Sequence, residues 1–176
     1  MPDLLAYKQE ILAGERPVCA LERVPLDLAN AAARRELFQR FGREAKRVLV
    51  VSEGLIIYFT AEEVAALASD LAAISSFRYW TLDLVSPALL KMIQKSMGGQ
   101  LDQAGAPLKF APREGPEFFR PHGWTPREAR SLLNTAAKLK RLSFFMRLFA
   151  LFPDAGGRQP DKPWGGMCLL ENSSSK

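Results

Sequence analysis

The sequence of 176 residues predicts an α/β fold with a largely parallel sheet, because strand and helix patterns alternate along it. Val48–Val51 is an unbroken aliphatic run, typical of a strand buried on both faces of such a sheet. Phe77–Val85 alternates apolar and polar residues and predicts a second strand. Between them, Thr60 and Glu63 have the spacing of a capping box, which predicts a helix from residue 61 to about Ile74.

The chain ahead of the first buried strand predicts two helices and one strand. Apolar residues at helical spacing cover Asp3–Ala13, and Gly14 is a typical stop signal. Val18–Val24 alternates in part and predicts a strand followed by a polar loop. The Ala- and Arg-rich segment Asn30–Phe41 predicts a helix that ends at Gly42.

The chain after the second strand predicts a helix, a long loop and a last strand. Ser86 is a capping residue followed by a proline in the first helical position, and the helix is expected to fade near Gly98. Residues 99–116 are rich in Gly, Pro and Gln and predict a loop of the kind that covers a binding site. Trp164–Leu170 predicts a strand, and residues 172–176 a disordered tail, which leaves 1–171 as a single domain.

Small and charged residues directly follow the first buried strand. Ser52, Glu53 and Gly54 stand where that strand ends, and open α/β sheets bind their ligands outside the carboxyl ends of the strands. A carboxylate there is costly to bury unless a cation or a hydrogen-bond donor meets it. Glu53 is therefore either a ligand contact or an ordinary loop acid, since strand ends are polar by default.

Composition indicates a globular protein and weighs against several functional classes. The net charge is +5, but the basic residues are scattered and form no stripe with exposed aromatics, so no nucleic-acid partner is expected. His122 is the single histidine, which argues against a Ser-His-Asp hydrolase and a metal site. Cys19 and Cys168 lack CxxC spacing, so we expect buried, reduced thiols in a cytoplasmic protein.

The segment Leu142–Phe152 is almost entirely apolar. It is too short to span a bilayer, which takes about 20 residues. Packing in the core or in a lid is the first expectation, and contact with a membrane surface or a second copy is the alternative.

Taken in order, several motifs make the chain resemble the leucine carboxyl methyltransferase family. The most specific is the EGLxxY pattern of Glu53–Tyr58, followed by the TxEEV start of the next helix. The resemblance implies a Rossmann-like class I methyltransferase sheet with helices on both faces, S-adenosylmethionine as cofactor, and methyl transfer to a carboxylate or hydroxyl of a small molecule or a peptide. The weaker matches are Pro2–Lys8, Pro25–Leu28, Leu82–Ser86, Gly123-Trp124 and Pro163–Leu170.

The resemblance also implies that family features are absent. In the family, the first strand, a glycine-rich loop and an acidic residue for the cofactor ribose precede the segment that Pro2–Lys8 resembles. We therefore expect a partial domain that lacks the first strand and the glycine-rich loop. Such a domain would need a homodimer, a partner chain or an improvised neighbouring strand, such as Val18–Val24 beside Val48–Val51. A non-catalytic remnant that serves as a binding or regulatory module is the alternative.

The same resemblance assigns candidate site residues but no catalytic residue. Asp27 and Leu28 correspond to the adenine contact, although Asp27 equally suits a cap for a helix near Ala29. Ser52, Glu53 and Gly54 correspond to the contact with the amino-acid end of the cofactor.

Other polar residues near this region have competing interpretations. Tyr58 is expected either in the substrate cavity or against the sheet. Asp83 either points into the cleft or occupies a solvated position of its strand, and Ser86 is better explained as a helix cap.

One segment has conflicting predictions. Thr125 and Glu128, followed by apolar residues at helical spacing, satisfy the rules for a capped helix. The family resemblance instead implies an edge strand after Trp124. We expect a strand over residues 126–132 and a helix from Asn134.

Overall fold

The computed structural model describes residues 2–142 and 157–174, with side chains from residue 5 onward. These residues cluster into two compact units, Met1–Leu37 and Phe38–Lys176. The described chain holds helices α1–α5, strands β1–β4 and two 3-10 helices. They are, in chain order, α1 Pro2–Ile11, α2 Ala31–Glu44, β1 Val48–Ser52, the 3-10 helix Ile56–Tyr58, α3 Ala61–Ala72, β2 Phe77–Val85, α4 Pro87–Gln103, the 3-10 helix Gly115–His122, β3 Trp124–Ser131, α5 Leu132–Lys138 and β4 Gly165–Asn172.

The first unit contains no strand in its described part, so the strand predicted for Val18–Val24 is wrong. Val18 is fully exposed and Leu21 is half-exposed, so the partial alternation buries neither side chain. A strand needs a paired neighbour to satisfy its backbone. Cys19 lies in this segment and is exposed, which contradicts the expectation that both thiols are buried.

Gly42 does not end α2, contrary to the sequence prediction, because the helix continues to Glu44. A Cβ atom at Gly42 would lie 2.4 Å from Cγ2 of Ile74. The glycine therefore permits close packing between α2 and the chain that follows α3. Ser76 supports this contact by donating a hydrogen bond from its hydroxyl to the Gly42 carbonyl over 3.3 Å.

The sheet of the second unit has the strand order β1-β2-β4-β3. β1 and β2 are parallel, and β4 is antiparallel to both β2 and β3. β3 consequently runs in the same direction as β1 and β2. The predicted α/β class with a largely parallel sheet is confirmed.

The core lies between one face of this sheet, α3 and the 3-10 helix Gly115–His122. Trp80 of β2 packs edge-on against Trp124 of β3 and Phe119, with ring centroids 5.6 and 5.3 Å apart. Trp124 donates its indole N–H to the Ala68 carbonyl of α3 over 2.9 Å. The capping box predicted for α3 is confirmed, since Thr60 and Glu63 make both reciprocal hydrogen bonds.

β1 is an edge strand of the described sheet, and the prediction that it is buried on both faces is wrong. The side chains of Leu49 and Val51 are 58% and 61% exposed. Of the described strands, only β2 pairs with β1. The predicted pairing of Val18–Val24 with β1 is wrong as well, because Val18–Val24 is not part of the sheet.

β3 confirms the strand that the family resemblance implies after Trp124, and the helix that local rules favour is absent there. Pro126 is accommodated because β3 is an edge strand whose register shifts between Pro126 and Glu128. α5 begins at Leu132, two residues earlier than expected. Ser131 caps it by accepting a hydrogen bond from the Asn134 amide over 3.3 Å.

Two further boundaries differ from the sequence prediction. α4 passes through Gly98 and ends at Gln103, just before Gly105, whose φ of 69° suits a helix stop. Asn172, expected in a disordered tail, is the buried last residue of β4 and donates hydrogen bonds from its amide to the carbonyls of Ala72 and Phe77. Residues 143–152 of the predicted apolar helix lie outside the described residues.

Candidate functional site

The parallel strands β1 and β2 bring their carboxyl ends to one edge of the sheet, where the predicted Ser52-Glu53-Gly54 segment lies. Ser52 is 5% exposed, and its hydroxyl accepts a hydrogen bond from the Trp80 indole over 2.9 Å. The Ser52 side chain therefore anchors the end of β1 in the core. The two residues after it are exposed.

Gly54 is held by Asp83 of the neighbouring strand. The Gly54 amide donates to Oδ1 of Asp83 over 2.9 Å, and the φ of Gly54 is 60°. Among the described residues, no atom outside the chain neighbours of Gly54 lies within 4 Å of the position that a Cβ atom would take. The backbone is thus open on that side, and a ligand can approach it closely. Asp83 is half-buried, and this bond to the turn was not anticipated from the strand pattern.

Glu53 projects from the same turn into solvent. Because its carboxylate is exposed, the charge stays hydrated and needs no fixed counter-charge within the protein. Such a group is available to a cationic ligand, and it is equally consistent with an ordinary loop acid.

Asp27 and Leu28 lie in the first unit, in the irregular chain before α2. Asp27 is exposed, and its Oδ1 accepts a hydrogen bond from the Ala29 amide over 2.9 Å. Asp27 therefore holds a local turn and does not cap a helix near Ala29, because α2 begins at Ala31 and Asn30 caps it by accepting from the Ala33 amide over 3.2 Å. The Leu28 carbonyl accepts from the Arg34 guanidinium over 2.6 Å.

Tyr58 is half-buried at the end of the 3-10 helix that follows the site turn. The preceding carbonyl, that of Ile57, accepts hydrogen bonds from the amides of Lys109 and Phe110 over 2.7 and 3.0 Å. The loop after α4 is thus tied to the segment that carries Tyr58.

An open groove of about 530 Å³ lies on the second unit and was not predicted as a site. Two aromatic rings and the ionisable side chains of Lys109, Glu114, Glu117 and His122 line it. Glu117 is paired with Arg120 and lies 3.6 Å from Arg158, so its charge is already compensated. The sequence signal that could have predicted this groove is the loop-like composition of residues 99–116, which form part of its lining. Neither Glu53 nor Tyr58 lines this groove.

Two features of the described residues bear on nucleophilic and metal chemistry: the state of the Cys168 thiol and the placement of side chains that could bind a metal ion. Burial raises the pKa of Cys168 to about 12, and the charge of Asp83 adds to the shift, so this thiol stays protonated at neutral pH. Within residues 2–142 and 157–174, no three His, Cys, Asp or Glu side chains converge so as to hold a metal ion. No helix in those ranges is long and apolar enough to cross a membrane.

The chain is similar to known methyltransferases. The profile of the leucine carboxyl methyltransferase family matches residues 1–72. A protein of Parafrankia sp. (strain EAN1pec), provisionally named as an S-adenosyl-L-methionine-dependent methyltransferase, is 31% identical over 145 residues, which are 80% of this chain and 46% of that protein. The chain thus spans about half the length of this relative.

A solved structure is also similar. Magnesium protoporphyrin IX methyltransferase from Synechocystis PCC 6803, with bound SAH, aligns with 98% of this chain and 59% of its own at 16% identity and a TM-score of 0.47. The family profile and the Parafrankia relative thus agree that this chain is similar to the leucine carboxyl methyltransferase family.

Proposed function

We propose that this chain supplies cofactor- and substrate-binding residues of an S-adenosylmethionine-dependent methyltransferase. The observation that carries the proposal is the family match over residues 1–72, which contains every predicted contact: Asp27, Leu28, Ser52, Glu53, Gly54 and Tyr58. The site turn after β1 is built in a way that suits this role.

Glu53 is the proposed contact for the cofactor's ammonium group. A carboxylate forms a charge-assisted hydrogen bond with such a group, which is stronger than a neutral one. Gly54 leaves space for the cofactor beside the backbone, and Asp83 holds the turn in place through the Gly54 amide. Asp83 is therefore a positioning residue in this proposal, and the Ser52 hydroxyl, which is bound to Trp80, fixes the strand end.

Asp27 is the proposed partner of the adenine amino group, with the backbone of Leu28 beside it. The Ala29 amide occupies one lone pair of the Asp27 carboxylate, and an ionised carboxylate offers about four acceptor positions. The exposed side chain thus retains acceptors for a ligand.

The proposed acceptor is a carboxylate or hydroxyl oxygen of a small molecule or of a peptide carboxyl group. The cofactor supplies a methyl group activated by its sulfonium. The protein would align the acceptor oxygen with that methyl carbon and exclude water. A carboxylate acceptor needs no acid–base pair, whereas a hydroxyl acceptor also has to give its proton to a base. Tyr58 is the proposed wall of the substrate cavity. A cytoplasmic location is proposed from the two free cysteines.

The test joins this chain to the part of the Parafrankia protein that lies outside the aligned 46%, and measures S-adenosylmethionine binding by calorimetry. We expect the joined protein to bind the cofactor and Glu53→Gln to weaken that binding by about tenfold or more, the loss of one charge-assisted contact. Glu44→Gln, another exposed carboxylate, is the control and should leave the affinity unchanged.

Two results would contradict the proposal. If the folded, joined protein binds no cofactor, the chain is better described as a non-catalytic binding or regulatory module. If cofactor binds but Glu53→Gln has no effect, the assignment of the ammonium contact is wrong.

A further inference from the structure

The open groove of about 530 Å³ on the second unit is large enough for a small organic ligand, since ligand pockets span about 300–1,000 Å³. Its lining comes from Ala61, the first residue of α3, and from the chain between Lys109 and His122. All of these residues belong to the second unit, so one compact part of the chain forms the groove.

The groove has an aromatic lining with a defined geometry. The Phe110 side chain is 2% exposed and packs edge-on against Phe118, with ring centroids 5.0 Å apart. The ring centroid of His122 lies 5.3 Å from that of Phe118, and Nδ1 of His122 lies 3.5 Å from the Ser69 hydroxyl of α3. Phe118 is thereby held between two rings while it remains half-buried, so part of its surface faces the groove. An apolar or aromatic group suits such a surface.

The backbone of the groove wall is fixed by contacts on its far side. The Ile57 carbonyl accepts hydrogen bonds from the amides of Lys109 and Phe110 over 2.7 and 3.0 Å. The Gln94 side-chain amide donates to the Leu108 carbonyl over 2.9 Å. A wall that is held in place before a ligand arrives loses little freedom on binding, and this favours affinity.

The charges along the wall favour an anionic ligand. Glu117 is paired with Arg120 and lies 3.6 Å from Arg158, so two cations compensate this one carboxylate. Among the residues that the structure describes, the side chains of Lys109 and Glu114 make no hydrogen bond or ion pair. Three cationic side chains thus stand against two carboxylates, and the ammonium of Lys109 is the one available to a ligand.

We propose that this groove is a binding site for a small apolar or aromatic molecule that carries one acidic group. The apolar body lies against Phe118, and the acidic group meets the ammonium of Lys109. The inference does not depend on the proposed function, because neither the site turn after β1 nor Tyr58 lines the groove.

The first test titrates the 176-residue chain with 2-naphthoate, an aromatic carboxylate, and follows the amide signals by nuclear magnetic resonance. We expect the signals of Ala61 and of residues 109–122 to shift. Lys109→Gln should raise the dissociation constant about fivefold, because the carboxylate loses its cation, and Glu114→Gln should lower it about twofold, because a like charge is removed. Lys95→Gln, an exposed lysine of α4 outside the groove, is the control and should leave the dissociation constant unchanged.

The second test reverses the charge of the probe and keeps its ring. 2-Naphthylmethylamine should bind the wild-type chain more weakly than 2-naphthoate does. The effects of the two substitutions should also change sign, so that Lys109→Gln favours the amine and Glu114→Gln disfavours it.

The third test fills the groove with a side chain. Ala61→Trp should abolish the binding of 2-naphthoate, because the indole occupies the end of the groove at the start of α3. Ala66→Trp places the same side chain at another exposed alanine of α3 that does not line the groove, and it should bind the probe like the wild type.

Three results would overturn the proposal: no shift of the groove signals with 2-naphthoate, equal binding of this probe by the wild type and Lys109→Gln, or tighter binding of the amine than of the acid.

Discussion

The Gly54 amide donates a hydrogen bond to Oδ1 of Asp83 across 29 residues of sequence, and this bond joins the ends of β1 and β2. The two residues come from separate strands, and the parallel pairing of those strands is what brings them together. Asp83 thereby shapes the turn that presents Glu53 to solvent.

Replacing Asp83 tests this connection. Asp83→Ala should lower the free energy of unfolding by about 1–3 kcal/mol, because the Gly54 amide loses a charged acceptor. Asp83→Asn retains an acceptor oxygen and should cost less. Urea unfolding measures both, and an Asp83→Ala variant as stable as the wild type would show that the bond contributes nothing to the fold.

Gly54→Ala separates backbone strain from crowding. In the described part of the chain, no atom beyond the two chain neighbours of Gly54 lies within 4 Å of the new Cβ, so the cost comes from the φ of 60°, about 1–2 kcal/mol. Gly99→Ala is the matched control, since it also has an empty surrounding but lies within α4. That substitution should stabilise the protein by about 0.5–1 kcal/mol. We therefore expect the melting temperature to fall in Gly54→Ala and to rise in Gly99→Ala.

Asn172 defines where the folded part of the chain ends. Its buried amide donates to the carbonyls of Ala72 and Phe77 over 3.0 and 3.1 Å, so Asn172→Ala should cost about 2 kcal/mol or more. Truncation after Glu171 should be as harmful, whereas truncation after Ser174 should not. Equal thermal stability of the two truncated chains would contradict the assignment of Asn172 to the core.

The two cysteines should differ in reactivity and in their effect on pH stability. Cys19 is exposed, so one thiol should react with a thiol reagent in the native protein and two after denaturation. The pKa of Cys168 is raised from 9.0 to about 12 in the folded state, so the folded form retains this proton more tightly. Its stabilising contribution is complete below pH 9 and declines as the pH rises toward 12.

Unfolding curves measured at rising pH on the wild type and on Cys168→Ala separate this contribution from other titrations. We expect the loss of stability above pH 9 to be smaller in the variant. Native labelling of both thiols would show that Cys168 is not buried in solution.

Features set by neighbouring residues were predictable from the sequence. The Thr60–Glu63 capping box and the Ser86 cap both depend on side chains that bond within three residues, and the structure contains both. Strand β2 follows from its apolar alternation, and β4, expected over Trp164–Leu170, spans Gly165–Asn172. The strand after Trp124 could be predicted only from the family resemblance, because its local pattern favours a helix.

Features set by distant partners were decided only by the tertiary structure. The exposure of β1 depends on which strand lies beside it, and the aliphatic run Val48–Val51 looks the same at an edge and in the middle of a sheet. Inside α2, Gly42 makes room for Ile74, which lies where a Cβ would be, and Asp83 holds Gly54 because two strands align. Sequence alone determined the local hydrogen bonds and the α/β class, whereas long-range packing decided which apolar residues are buried and which carboxylate shapes the site.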